Sequence, residues 1–434
     1  MCKCSQENCD LEVSENNDKC ILHCEKNDWK KLDENKIKTR QQKFNEEFLK
    51  YCSSSEDGEI KEFHFYDTFN LLKEIDNGKF FFRQCHFHGF FSFNNYLKEH
   101  YLFLDNCFFY GNIHFFRDIN SEFHFVNSCQ FNKKSIFLNG IFSKKISFIG
   151  SDDINEINCN SVVFKNDVVF STLTVKNYAD FQFTKFYKNC SFFQSKFYST
   201  VNFNETNFMG NVNFLLFYSK CELDLSNAVF EGQSNFLKVK VTIANRETAR
   251  IIKDSFEKKN NIIAANEFYA LEMKEREKEL EDDLKKGKNF FEWLVFKIHG
   301  LSSNHSQDWL LSLFWMLNIT FSLFITEKSI ELFGSNLVAF IPTLTISILG
   351  INIAILNNEK IRTMFLFLVT FMNFGIFKII SDKHSLDCVS EKINPFSIMT
   401  ELSQLNFETF IYKITIAYLI YQLIISIRQN TRRK

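Results

Sequence analysis

Near its N-terminus the chain places Cys4 and Cys9, four residues between them, ahead of Cys20 and His23, two residues between them, with ten residues separating the pairs. Thiolate and imidazole are the ligands zinc prefers, and two such knuckles closed by a short loop can supply a tetrahedral structural site. The expected cofactor is therefore a structural zinc held by Cys4, Cys9, Cys20 and His23 within residues 1–30. The spacing is looser than paired Cys-x-x-Cys, and Cys2 and Cys24 stand as rival ligands. An unliganded reduced tail and a redox role are the competing readings. A second group, His64, His86, His88, His114 and His124, occurs largely as Phe-His-Phe. Alternation turns these histidines outward while the rings point inward, which predicts a solvated surface rather than a metal site. No phosphate-binding glycine loop, His-Glu metal helix or nucleophile elbow is present, so no catalytic residue is assigned and no enzyme is expected.

The elements that carry these groups are announced by phenylalanine, which occurs 55 times against 13 glycines and two prolines. One column of large residues runs Cys159, Phe170, Phe181, Phe192, Phe203, Phe214, Leu225, Phe236, and a second runs Phe164, Val175, Phe186, Phe197, Phe208, Ser219, Phe230. Each column repeats every eleven positions, and a smaller residue such as Val168, Ala179, Thr184 or Ser195 sits two before each large one. Ser219 and its partner Phe217 break the rule once. Inward residues at i and i−2 with a period of five to six fit neither a helix nor a simple strand, but a chain that turns a corner after each short extended segment. Four such sides take about 22 residues, with neighbouring coils roughly 4.8 Å apart. The pattern continues backwards through Phe148, Phe142, Phe137, Phe131 and Phe125 to Phe115, Phe109, Phe93, Phe87 and Phe82, giving about eight coils and a rod of about 35–40 Å.

The stretch ADFQFTKFYKNCSFFQSKFYSTVNFNETNF resembles the Phe-rich variety of the pentapeptide-repeat family. That resemblance implies a right-handed quadrilateral β-helix over residues 60–240, in which each five-residue unit forms one side and its central Phe or Leu stacks on the next coil. Some members of the family imitate DNA with an acidic face. Here nine acidic residues meet eight basic ones between 150 and 240, and the whole chain carries a net charge of −1, so no nucleic-acid mimicry or nucleic-acid partner is expected.

A β-helix has open ends that need covering. Residues 31–59 are expected to cap the first coil as a helix, and Arg246 to Lys258 and Ile262 to Asp283 have the helical apolar spacing of a pair, similar to the connector of membrane-bound members of that family. FFEWLVFKIHG follows as an amphipathic run whose Phe290, Trp293 and Phe296 suit a headgroup interface, closing a connector of residues 241–307. Beyond it, residues 308–434 are expected to form a transmembrane domain of about four helices at 309–326, 332–357, 363–380 and 408–427. Ten lysines and arginines fall on one side of these spans and four on the other, which predicts cytoplasmic N- and C-termini in a multi-pass protein of a bacterial inner membrane. The N-terminus lacks an apolar signal core, so the soluble part is read as cytoplasmic with reduced cysteines.

Together these features predict a non-enzymatic, membrane-tethered scaffold or protein-binding module. Its partners are the membrane and a protein of unknown identity, with homo-oligomerisation left open. The alternative is an ion-channel-like or transport subunit. It rests on INPFSIMTELSQL, with Asn394 as cap and Pro395 in the first turn, placed where a two-helix channel carries its pore helix. Against it, no glycine-rich filter follows. Asn318, Asn352, Asn373 and Gln422 are expected to hydrogen-bond between helices.

Overall fold

The computed structural model describes residues 3–6, 9, 11–14, 18–26, 29, 32–55, 58–66, 78–93, 99–115, 118–334, 341–356, 358–380, 387–394 and 407–431. The chain forms two compact units, Met1–Ser255 and Phe256–Lys434.

The first unit is a parallel β-solenoid of about eight turns. On its regular stretch the strands are mostly only two residues long, as expected of a chain that must turn after each inward pair. Val168 pairs with Cys190, Cys190 with Val212 and Val212 with Ser234, all in parallel. The same interval of 22 residues separates the side-chain ladders, as in Asn235 to Asn213 and Gln182 to Asn204. Among the described residues the strands collect into series of nine, ten, five and three, the nine-stranded one running from Glu59–Lys61 to Ser234–Asn235.

The core is a set of ring stacks. Phe170, Phe192, Phe214 and Phe236 lie face to face at 5.5, 5.2 and 4.9 Å, and Phe164, Phe186, Phe208 and Phe230 at 5.1, 5.2 and 4.7 Å. Adjacent stacks meet edge-on, as Phe181 does Phe192 at 83°, so the offset and T-shaped geometries that aromatic rings favour are satisfied together. The smaller residue two places earlier has its own task. Thr184, Ser195 and Thr206 are buried and donate their hydroxyls to the carbonyls of Cys159, Phe170 and Phe181 in the preceding turn, at 2.6, 2.6 and 2.7 Å. Thiols do the same in the early turns, Cys85 to Ile60, Cys107 to Phe82 and Cys129 to Leu104. A corner interrupts the strand ladder, and these side chains supply the partner that a buried carbonyl needs.

Corners of one kind close with a hydrogen bond from Thr184 N to Phe181 O, Ser195 N to Phe192 O and Thr206 N to Phe203 O, with Phe183, Gln194 and Glu205 at positive φ. That is the third position of a type II turn. A second kind brings backbones into contact: a Cβ on Gly210 would lie 2.3 Å from the Lys188 carbonyl carbon.

Two departures from the columns are instructive. Phe137 is half-buried and stacks outside on His114 at 4.7 Å, while Ile136 and Leu138 point inward. Two successive positive-φ residues, Asn132 and Lys133, lengthen that turn and shift the alternation. At the other departure, Phe217 fills with its ring the space that Ser219 leaves, meeting Phe214 and Phe197 at 5.4 and 5.2 Å. The side chain of Phe93 lies outside the described residues.

Both ends are covered. Helix α1, Glu34–Ser54, begins where the Asp33 carboxylate accepts from Lys36 N, and it lays Phe44 and Phe48 across Phe65 at 5.5 and 5.4 Å. Helix α2, Arg246–Lys258, closes the far end. Its Ala249 and Ile252 are buried, and its Thr248 hydroxyl accepts from Leu225 N.

The second unit is helical: α3 Ile262–Lys285, α4 Phe290–Ser303, α5 Trp309–Phe333, α6 Ile341–Ala354, α7 Glu359–Ile380, α8 Asp387–Ile393 and α9 Phe407–Thr431. Charged pairs join α3 to α4, Arg276 with Glu292 and Lys297 with Glu277 and Glu281. Helix α4 is amphipathic as expected, but Phe290, Phe291, Leu294, Val295 and Ile298 form its exposed stripe, whereas Trp293 and Phe296 are half-buried.

Among the described residues, three helices are long and apolar enough to cross a membrane, over Trp309–Glu331, Lys360–Ile379 and Thr409–Gln429. Where the sequence predicts a span at 332–357, the described helix has 14 residues, and residues 335–340 lie outside the description. The loop at 395–406, which carries the channel alternative, also lies outside it. Among the amides of these helices, Asn373 donates to Asn318 Oδ1 at 3.1 Å and Asn318 to Thr370 at 2.8 Å, the helix-to-helix use expected of them. Asn352 instead bonds Ile348 O of its own helix.

Candidate metal centre

The N-terminal segment folds back on itself before the first coil. Lys3 bridges Glu12 in antiparallel fashion, Cys4 N donates to Leu11 O and Ser5 N to Asp18 O, which fixes Cys4 and carries Cys9 at the turn. A tight turn follows, with His23 N and Cys24 N both donating to Cys20 O. This turn is why Cys20 and His23, two residues apart, present their side chains to one point.

All four predicted ligands meet there. One ligand atom from each of Cys4, Cys9, Cys20 and His23 lies within 4.8 Å of every other. Cys9 Sγ is 3.7 Å from Cys20 Sγ, and His23 Nδ1 is 3.1 Å from Cys20 Sγ and 3.8 Å from Cys4 Sγ. A tetrahedral ion with metal–sulfur bonds of about 2.3 Å needs sulfur–sulfur edges of about 3.8 Å, which is the scale of this group. Cys20 N donates to Cys4 Sγ at 3.2 Å, an N–H···S bond that favours a thiolate there.

The electrostatics are those of a site needing a cation. Burial pushes the Cys20 thiol up to about 12 and Cys9 upward. Burial opposes ionisation of Cys4 too, but the backbone bonds at Cys20 and Gln6 hold it below its ordinary value. The His23 imidazole is held low by burial, against a hydrogen bond with the Lys61 backbone, so it stays neutral and keeps a lone pair for a ligand role.

The structure also separates the rival cysteines. Cys24 Sγ accepts from Lys26 Nζ at 3.2 Å, and the same ammonium donates to Ile21 O at 2.6 Å and Cys24 O at 2.8 Å. Lys26 is fully buried and lies over the rings of Trp29 and Phe44, fastening the knuckle to α1. Cys24 is thereby committed to Lys26, and Cys2 lies outside the described residues. Sequence reasoning passed over Lys26 because nothing in its surroundings along the chain distinguishes it from a solvated lysine.

The whole centre rests on the first coil. His23 meets the Phe63 ring edge-on at 4.8 Å, and His64 N donates to Leu22 O at 2.9 Å. This contact corrects the expectation for the histidines. His64, His88 and His124 are buried, not solvated; His64 stacks on His86 at 4.3 Å and its Nδ1 is 2.9 Å from His88 Nε2. The 22-residue interval does stack His64 on His86, on a face that is shielded from water. Comparison with family models, with curated proteins and with solved structures yields no match for this chain.

Proposed function

We propose that the chain is a non-enzymatic, membrane-tethered scaffold whose solenoid, a right-handed quadrilateral β-helix of the pentapeptide-repeat kind, binds a protein partner through its outer surface. The observation that carries this reading is the filled interior: stacked rings occupy the axis from Phe65 through Phe87 and Phe109 to Phe131, and from Phe148 to Phe236. Recognition is left to the outside, where Tyr178 and Tyr198 stand exposed on successive turns, and tyrosine is among the residues that protein interfaces favour. A zinc ion at Cys4, Cys9, Cys20 and His23 closes the N-terminal end. The apolar helices hold the chain in a bacterial cytoplasmic membrane, with the solenoid and both termini on the cytoplasmic side.

The test is cross-linking of the full chain in native membranes, purification of the cross-linked protein, and measurement of its affinity for the intact chain. A saturable complex weakened by Tyr178→Ala or Tyr198→Ala supports the scaffold. Ion-selective currents from the purified chain in planar bilayers would instead favour the channel reading.

A further inference from the structure

Between α4 and α5, Asn304, His305 and Ser306 take φ of 47°, 55° and 63° in succession. A single left-handed residue ends a helix routinely, and Asn304 does so for α4. Two further L-residues continuing in that region are strained, and such strain persists only where the surroundings hold it. What holds it here is a line of polar groups. His305 Nδ1 is 3.3 Å from His299 Nδ1, and His299 Nε2 is 3.2 Å from Ser306 Oγ. The Ser303 and Ser306 hydroxyls both donate to Gln422 Oε1 at 3.0 Å. On the opposite side, His305 Nε2 lies 3.5 Å from Glu277 Oε2. His305 is 1% exposed, and its Nε2 has no hydrogen bond shorter than that ion-pair contact.

The direction of the bonds fixes where the protons sit. The Ser306 hydroxyl gives its one hydrogen to Gln422 Oε1, so its oxygen accepts from His299 Nε2, which therefore carries the proton and leaves a lone pair at Nδ1. His305 must then place a proton on its own Nδ1, between the rings. Its remaining nitrogen faces a carboxylate, where a lone pair is repelled and an N–H is attracted.

We propose that Glu277, His305 and His299 form a buried proton-binding site, the exchangeable proton lying between His305 Nε2 and the Glu277 carboxylate. A metal does not suit the arrangement, because His305 uses opposite nitrogens toward its two neighbours and the three groups lie along a line rather than around a point.

The groups facing the site come from every element around it. From α3 come Glu277 and Glu281, and from α4 come Lys297, which reaches both at 2.5 and 2.8 Å, and His299. Tyr418 of α9 bonds Ser302 at 3.1 Å, and Asp308, at the start of α5, pairs with Arg362 of α7 at 2.8 Å. The hydrogen bond from His305 and then Lys297 hold the Glu277 carboxyl below its ordinary range despite burial, while burial holds His299 low. A Cβ on Gly300 would lie 3.2 Å from His305 Nε2 and 3.6 Å from Glu277 Oε2, so glycine is what lets the pair approach.

Nuclear magnetic resonance of the full chain in lipid nanodiscs, with histidine labelled in its ring nitrogens, tests the site. At a single near-neutral pH the ring-nitrogen signals should show a proton on His305 Nε2 as well as on its Nδ1, and a proton on Nε2 alone in His299. Glu277→Gln should remove the proton signal at His305 Nε2 and leave that at Nδ1, the effect of losing an adjacent opposite charge. His305→Gln assigns the signal by removing it. If that variant does not fold, Gly300→Ala assigns it instead by displacing the same resonance. Absence of a proton at His305 Nε2 in the unmodified chain, or an Nε2 signal unchanged in Glu277→Gln, overturns the proposal.

Discussion

Removing the ring of Phe192 should do more damage than removing almost any other side chain in the solenoid. Phe192 is fully buried, stacked on Phe170 and Phe214 at 5.5 and 5.2 Å, and met edge-on by Phe181, Phe186, Phe203 and Phe217 at 5.3, 6.4, 5.1 and 6.5 Å. Phe170 and Phe214 lie one turn before and after it, and the edge-on rings come from other sides of the coil; strand pairing fixes the backbones that carry them, so the space cannot collapse. Phe192→Ala should therefore cost the upper part of the usual range, about 3–5 kcal/mol, or roughly 10 °C in midpoint temperature for a unit of this size. Phe192→Leu keeps most of the volume and should cost about 1–2 kcal/mol. The sequence-equivalent control is Phe137→Ala. That ring belongs to the same column pattern but stacks outside on His114, so its loss should cost about 1 kcal/mol or less. Urea unfolding of residues 1–286, followed by far-ultraviolet circular dichroism, measures all three. A cost for Phe192→Ala below about 1.5 kcal/mol, or one for Phe137→Ala that exceeds it, would refute the stack as the source of stability.

Residues 1–286 should be soluble and rich in β-structure, since each solenoid turn contacts only its neighbours; recovery solely in the membrane fraction would contradict this. Purified chain should carry about one zinc, which Cys20→Ser should release and Cys24→Ser should retain, by metal analysis. Stability of the first unit should fall with acid. Burial first, then His86 and His88, push His64 down to about 2, so the folded state refuses a proton that the unfolded chain accepts near pH 6.5. The stabilisation is full above about 6.5 and declines as pH falls below it. His64→Leu should reduce the difference between unfolding midpoints at about pH 7.5 and about pH 5, and an unchanged difference would remove His64 as its origin. In the second unit, Arg362→Met should strand the largely buried Asp308 carboxylate and cost about 3–5 kcal/mol, part of it regained by adding Asp308→Asn.

The columns were legible in the sequence because stacking enforces one spacing on large residues, and a spacing survives even where Phe217 and Ser219 exchange sizes. The clustering of Cys4, Cys9, Cys20 and His23 was legible for a similar local reason: a turn at Cys20 to His23 and a fold-back at Cys4 to Cys9 are short-range events. Phe137 was misplaced because a single extra residue in the turn at Asn132 and Lys133 reverses the inward face, and no composition signal marks it. The burial of His64 depends on Leu22, some forty positions away, seating against it. His305 depends on Glu277 and on Gln422, more than a hundred positions later. Pairings of that kind leave no periodic trace, so the proton site could not be read from spacing.

The common interval of the ladders makes the length of this solenoid a quantised variable. Excising 22 residues, for example 181–202, would seat Phe203 on Cys159 and Phe208 on Phe164 in place of the partners they have now, with every hydroxyl and corner still in phase. Excising one residue more would rotate each later ring out of the axis. A lineage can therefore lengthen or shorten the rod in steps of about 4.8 Å without inventing new interactions. The distance between the knuckle at one end and the closing helix at the other is then open to selection as a dimension in its own right.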